Sequence, residues 1–360
     1  MAAYGKLDEM IIHSDLPFNA EPPRERLAED AITQVDRFYV RNHGTVPALD
    51  ASSWRLRIGG LVATELELSL DELREGAFSR RELTATLQCA GNRRAGLMAV
   101  REIPGEAPWG PGATGTASWG GVALADVLAR AAPAAGAAHV EFVGTDRSEE
   151  AIPPQPFASS IPLEKALRPE VMLAFEMNGR TLPPVHGAPV RVVVPGYIGA
   201  RSVKWVNRIE VGARPSAGWF QDVAYRLLEP DDEPAAGRGV SLGEVALNAD
   251  WLRPQDGARI AAGAVEARGY AFAGGERSVV RVDVSADGGR SWAAAELLED
   301  LGRWAWRPFT ARLELAPGSH ELVVRAWDSA AALAPEHAAS LWNPKGYVNN
   351  AWGRITVHAT

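Results

Sequence analysis

One residue type occurs once in the chain, and its surroundings suit chemistry. Cys89 stands in the run Leu87-Gln88-Cys89-Ala90-Gly91-Asn92-Arg93-Arg94. Nearby positive charge favours a thiolate over a thiol, so the guanidinium groups of Arg93 and Arg94 predict a lowered pKa for Cys89. Gly91 lets something approach the backbone closely, and Asn92 offers both donors and an acceptor. The plain alternative for a lone cysteine is a small buried apolar side chain. A single cysteine excludes an intrachain disulfide, a four-cysteine zinc site, c-type haem attachment and an iron–sulfur cluster built from this chain alone.

A second set of residues is basic. Arg41, Arg191, Arg201 and Lys204 each lie near Gly, Pro or His in an expected loop or strand end. Clustered cations in such places suit an anionic ligand, whereas a charge taken singly is more often a solvated surface group.

The elements around these residues read as a mixed α+β region followed by a strand-rich one. Residues 15–50 look irregular, punctuated by Pro17, Pro22, Pro23 and Pro47. Alternation predicts strands at Arg55–Ile58 and Glu65–Leu70, around a Gly59-Gly60 turn, with a short helix from Leu70 to Glu75. The strand-like run Leu83–Leu87 delivers Cys89 to a strand end. Val122–Ala132 reads as a helix, and His139–Gly144 and Val190–Val194 as strands ending at Asp146 and Pro195-Gly196. After about residue 215, valines at 280, 282 and 284 alternate with polar residues before an Asp287-Gly288-Gly289 turn, and Leu313, Leu315 and Leu322–Trp327 continue the pattern. Short strands separated by turn signals predict a β-sandwich. The stretch Glu229–Arg238 reads as a linker or long loop.

Composition sets the outer limits. The 360 residues suggest about two domains, and 46% apolar against 23% charged residues is an ordinary globular balance. With 37 basic against 45 acidic residues the net charge is −8, a poor match to nucleic acid. No run approaches the roughly 20 apolar residues of a membrane span, and no signal-peptide core is visible. The expected location is cytoplasmic, or periplasmic if the N-terminus has been trimmed.

Taken together, the motifs resemble those of sulfite oxidases and their relatives, the eukaryotic assimilatory nitrate reductases. The likeness spans nearly the whole chain and is nearest to the haem-free plant and bacterial forms. Pro17–Pro23 resembles the family's entry segment, and Tyr39-Val40-Arg41-Asn42-His43 its Arg-Asn-His motif. Leu87–Arg94 is similar to the metal-ligand loop, and Phe142–Asp146 to a pterin-contacting strand end. Asn178–Arg191 and the long run Pro195–Trp205 follow in order, and Trp342–Gly346 and Asn349–Trp352 resemble the end of the C-terminal domain.

The resemblance implies an α+β molybdopterin-binding catalytic domain over residues 1–218 and an immunoglobulin-like β-sandwich that dimerises over 219–360. It implies molybdenum bound through Cys89 and a pterin held by Tyr39, Val40, Arg41, Asn42, His43, Asp146, His186, Arg191, Ser202, Val203 and Lys204. Arg41, Arg94, Tyr225, Trp109 and Lys345 match substrate-side residues. The implied reaction is two-electron oxygen-atom transfer, sulfite to sulfate. No haem site is expected in this chain, so electrons should pass to an outside acceptor, a cytochrome or oxygen. Three positions depart from the family pattern. Glu106 lies in the loop before Trp109 that usually carries a cation, Lys345 replaces the usual Arg of sulfite oxidases or Met of nitrate reductases, and Ala224 replaces the usual Asp before Tyr225. The first weakens the sulfite assignment and the second disfavours nitrate. A metal-free thiol enzyme and a non-catalytic β-sandwich binding protein are the rival classes.

Overall fold

A computed structural model of the chain describes residues 3–76 and 78–360. Two five-stranded sheets build the N-terminal part. In one, the strands run in the order Arg180–Thr181, Met172–Met177, Thr114–Ala123 and Arg80–Gln88, with Arg191–Val193 also pairing with Met172–Met177. In the other the order is Leu66–Ser69, Arg55–Gly60, Val206–Gly212, His139–Ser148 and Gln155–Pro162, and only Arg55–Gly60 and Val206–Gly212 run parallel.

The short helix Leu70–Glu75 starts where Ser69 and Glu72 reciprocally cap the first turn, and Leu70 and Leu73 bury its inner face. The expected helix from Val122 begins later, at Leu124, because the residues before it continue a strand from Thr114 to Ala123. That strand is rich in small residues and lacks a visible alternation. Its Gly121 is required: a Cβ there would stand 2.1 Å from the Leu173 carbonyl oxygen of the neighbouring strand.

The segment from Phe220 to Val245 packs into the same core as both N-terminal sheets, through Phe220, Tyr225, Leu242 and Val245. From Asn248 onward two sheets face each other. One has the order Asn248–Arg253, Gly263–Phe272, Arg307–Leu315 and Glu296–Leu297. The other runs Ala258–Ile260, Gly353–Ala359, Gly318–Asp328, Val279–Ser285 and Ala293–Ala294. Their inner faces bury Trp251, Phe309, Val282, Val284, Leu322, Val324, Ile355 and Val357, each side chain contributing about 1.5–3 kcal/mol on burial. This is the β-sandwich that the alternation after residue 215 predicted, in the immunoglobulin-like form that the family resemblance implied. Among the described residues, no helix is long and apolar enough to cross a membrane.

Candidate active site

Cys89 follows the last residue of the strand Arg80–Gln88 and is anchored by its N–H to Ala113 O at 2.9 Å. The chain then turns back on itself: Gly91 N donates to Cys89 Sγ at 3.4 Å, and Arg93 adopts a left-handed φ of 64° before the helix Arg94–Met98. The two arginines of this loop do different things. Arg93 reaches away from Cys89 into the sandwich, pairing with Asp250 at 2.8 Å and donating to Ala351 O at 2.8 Å. Arg94 stays beside the loop, lying flat enough on it that a Cβ at Gly91 would meet Arg94 Nη2 at 2.5 Å.

The expected lowering of the thiol pKa does not hold. Burial pushes the Cys89 pKa up, and the charges of Arg94 and Arg41 only partly offset it. A thiolate here therefore needs a stronger counter-charge than these guanidinium groups, such as a metal ion bound to the sulfur. Among the described residues, no group of three or more His, Cys, Asp or Glu could hold a metal. A metal at Cys89 would take its other ligands from a non-protein group.

Cys89 lies on the wall of a cavity of about 640 Å³, part of it open to solvent. Of the residues singled out from the sequence, Tyr39, Arg41, Asn42, His43, Cys89, Asp146, His186, Arg191, Ser202, Val203, Lys204 and Tyr225 line it. Segments from across the first 225 residues thus meet in one place. Four others do not line it. Val40 is buried in a neighbouring apolar cluster and bridges Ala20 through its backbone. Trp109 is fully buried, its ring 4.5 Å from His13. Arg94 and Lys345 are held by Glu106, as described below. Arg201 is also outside the lining, 1% exposed and bonded to Ser159 Oγ at 2.6 Å and Leu242 O at 2.9 Å. It ties the loop to the core rather than facing the cavity.

The floor of the cavity is crowded with cations. Arg191 donates to His186 O and Ser202 O, each at 3.0 Å, and its guanidinium lies 5.0 Å from the Trp119 ring centre. Lys204 contacts Asn42 Oδ1 and donates to Val185 O at 3.2 Å. Burial pushes Arg191 down to about 10, while burial and then the Arg191 charge push Lys204 well below its usual range. Burial likewise lowers His186, helped by Lys6, Lys204 and Arg191. Asp146 is the carboxylate among them, and burial raises it to about 6 despite Lys204. Buried bases with depressed pKa values and one weakened carboxylate are short of negative charge. A phosphate-bearing group would supply it, so these residues fit an anionic pterin cofactor.

The upper wall is organised by Glu150. Its Oε2 lies 2.6 Å from His43 Nδ1 and 3.5 Å from Arg41 Nη2. Burial would raise the Glu150 carboxyl, but hydrogen bonds from His43 and Arg41 hold it down at about 2. Burial and the Arg41 charge push His43 down to about 4. His43 Nε2 in turn meets Tyr225 Oη at 2.7 Å. Tyr225 is thus fixed from across the cavity, with Ala224 buried where an acidic neighbour would stand. Two residues that sequence reasoning did not single out belong to this framework, Glu150 and Lys6. Neither sits in a motif, and only the folded chain brings them to His43 and His186.

The fold and the cavity define a two-domain enzyme type with a single thiol beside a pocket for an anionic cofactor. Residues 43–220 match the family model "Oxidoreductase molybdopterin binding domain" and residues 242–360 match "Mo-co oxidoreductase dimerisation domain". The chain is 43% identical over 356 residues to the sulfite oxidase of Gallus gallus, covering 95% of this chain and 76% of that one. It is 39% identical over 371 residues to that of Arabidopsis thaliana, covering 96% and 93%. It spans 65% of the length of the Mus musculus mitochondrial sulfite oxidase. Among solved structures it superposes on the sulfane dehydrogenase SoxCD from Paracoccus pantotrophus with a TM-score of 0.83 at 25% identity, over 99% of this chain and 90% of that one. The chain belongs to the sulfite oxidase family of molybdopterin-dependent oxidoreductases, and its C-terminal sandwich is the family's dimerisation domain.

Proposed function

We propose that this molybdenum-dependent oxidoreductase oxidises sulfite to sulfate, with Cys89 as the protein's ligand to the metal and the acceptor of electrons outside the chain. The observation that carries the reading is the position of Cys89 on the wall of a cavity whose other lining groups include four basic side chains, Arg41, His186, Arg191 and Lys204. The molybdenum centre, when bound, supplies two-electron oxygen-atom transfer.

The chain's own residues have three tasks in this reading. Arg191 and Lys204 neutralise the phosphate of the pterin, and Tyr39, Asn42, Asp146, His186, Ser202 and Val203 orient it. Arg41 keeps a permanent positive charge beside the thiol, where it also favours an approaching oxyanion. Tyr225, whose hydroxyl pKa is raised by burial, keeps its proton and donates it to the Nε2 lone pair of His43, whose own ring proton goes to Glu150, which fixes the phenol at the cavity wall. Trp109 and Arg94 act from behind this wall by shaping the loop and its charge, and Lys345 is the partly exposed cation beside them.

Purified protein from a host that makes the pterin should contain about one molybdenum per chain and reduce ferricyanide when given sulfite. Protein with molybdenum but no sulfite-dependent reduction would remove the substrate assignment while leaving the cofactor assignment standing. Absence of molybdenum would remove both.

A further inference from the structure

Glu106 occupies a position that its neighbours make consequential. Its Oε2 lies 3.3 Å from Arg94 Nη2, and its Oε1 is in direct contact with Lys345 Nζ. Arg94 is further fixed by donating to Lys345 O at 3.0 Å, Gly346 O at 3.2 Å and Ala107 O at 2.9 Å. The Arg94 side chain is 3% exposed, Glu106 15% and Lys345 19%, so the lysine is the member of the trio most open to an incoming ion.

This trio touches the active site through two rings. The Arg94 guanidinium lies 5.3 Å from the Tyr347 ring centre, and Tyr347 stacks on Tyr225 at 5.4 Å. Tyr225 lines the same cavity as Cys89. The negative charge of Glu106 acts on Cys89, His43, Tyr225 and Tyr347 alike. The carboxylate is therefore close enough to the reacting region to be felt there, and it already occupies both cations.

We infer that Glu106 is a specificity-determining residue that sets the anion affinity of this site, competing with substrate for Lys345 and penalising doubly charged oxyanions more than singly charged ones. The inference rests on the sulfite reading for its biological meaning but not for its physics. An anion that approaches Lys345 must displace the Glu106 carboxylate or share the lysine with it, and it feels the remaining negative charge. Coulomb energy scales with the charge of the ligand, so the penalty on a dianion is twice that on a monoanion in free energy.

The test is isothermal titration of the molybdenum-loaded protein with sulfate and, separately, with nitrate, comparing wild type with Glu106→Gln. This needs no turnover, so it stands apart from whether sulfite is the substrate. Sulfate should bind about tenfold more tightly to the variant and nitrate about threefold more tightly, the square root of the first factor. Adding Lys345→Met to Glu106→Gln should return sulfate affinity to wild-type strength or below. In steady-state assays of an active enzyme the Glu106→Gln change should appear as a lowered KM for sulfite, whereas mere loosening of the loop would raise KM and lower kcat. Should Glu106→Gln fold poorly, Glu106→Ala is expected to shift sulfate affinity in the same direction. Sulfate affinity that is unchanged or weaker in both variants, or a sulfate gain no larger than the nitrate gain, would overturn the inference.

Discussion

Lys6 Nζ stands 2.7 Å from His186 Nε2, although the two residues are 180 positions apart. The same ammonium donates to Val35 O at 2.6 Å and Phe38 O at 2.8 Å, so its three donors meet three acceptors in a site where Lys6 is 1% exposed. In its charged form Lys6 makes Nε2 an acceptor and leaves the ring proton of His186 on Nδ1. A residue near the N-terminus thereby sets how a cavity-lining histidine presents itself.

Lys6 gives a pH signature. Burial pushes it from its ordinary 10.5 down to about 7, with Asp36 opposing. Between those values the unfolded chain holds a proton that the folded chain lacks. Unfolding free energy should therefore rise with pH in that window, by about 1.4 kcal/mol per pH unit from this one group, and show no slope from it below the folded pKa. Lys204 shifts in the same direction. An anion in the cavity raises both pKa values and flattens the slope. Urea unfolding of metal-free protein across about pH 7 to 9 should show the rise, cofactor-loaded protein should show less of it, and Lys6→Met should lose about one proton's worth. An identical slope in Lys6→Met would mean another group titrates there.

Cys89→Ser should abolish molybdenum-dependent turnover, with a loss of at least about a hundredfold. Serine offers a hard oxygen in place of a soft sulfur, and its hydroxyl does not ionise near neutrality. The fold should survive, because the side chain changes by one atom at a strand end. Elemental analysis alongside the kinetic assay checks both halves, and an active Cys89→Ser protein would sink Cys89 as the metal ligand.

Arg94 and Lys345 should separate on mutation. Arg94 is buried with three backbone carbonyls depending on it, so Arg94→Met should cost about 2–4 kcal/mol of stability. Lys345 is partly exposed, and Lys345→Met should cost under about 1 kcal/mol while raising KM for sulfite several-fold. Thermal melts and steady-state kinetics on the same preparations distinguish them. If Lys345→Met left sulfite kinetics unchanged, the lysine does not meet the substrate.

The cavity was legible in the sequence to the extent that its residues sit in ordered local motifs. Residues of Tyr39–His43, His186–Arg191 and Ser202–Lys204 line one cavity with Asp146, although Asp146 lies within the strand His139–Ser148 rather than at the strand end expected, and His186 and Ser202 flank short 3-10 turns. What the sequence hid is of a different kind. The thiol pKa was misjudged because adjacency along the chain is not adjacency of charge: Arg93 turns to Asp250, and desolvation outweighs the cations that remain. The strand Thr114–Ala123 was missed because glycines and alanines at its close contacts erase the alternation that marks a strand. Glu150 and Lys6 carry no local signature, since their partners lie more than 100 positions away. Arg201 looked like a ligand-binding cation, and its burial against Ser159 and Leu242 is a tertiary fact.

The C-terminal sandwich should hold the protein as a dimer. Sedimentation velocity at micromolar concentration should return about twice the chain mass of 38.6 kDa. A mass equal to one chain that persists as concentration is raised would count against it.

Electron exit is the remaining step. In the sulfite reading a bound molybdenum centre would supply two-electron oxygen-atom transfer, so two electrons would have to leave per turnover. Cys89 is the only cysteine of the chain, and it is committed to the metal in this reading. An iron–sulfur relay built from these residues is thus excluded. The proposal is a separate one-electron acceptor such as a cytochrome, or oxygen. Purified protein should show no Soret band and should turn over sulfite with ferricyanide. A tightly bound haem or flavin in the isolated chain would show the proposal to be wrong. Oxygen uptake with sulfite and no added acceptor would select oxygen, and uptake that appears only when a cytochrome is supplied to be reoxidised would select the cytochrome.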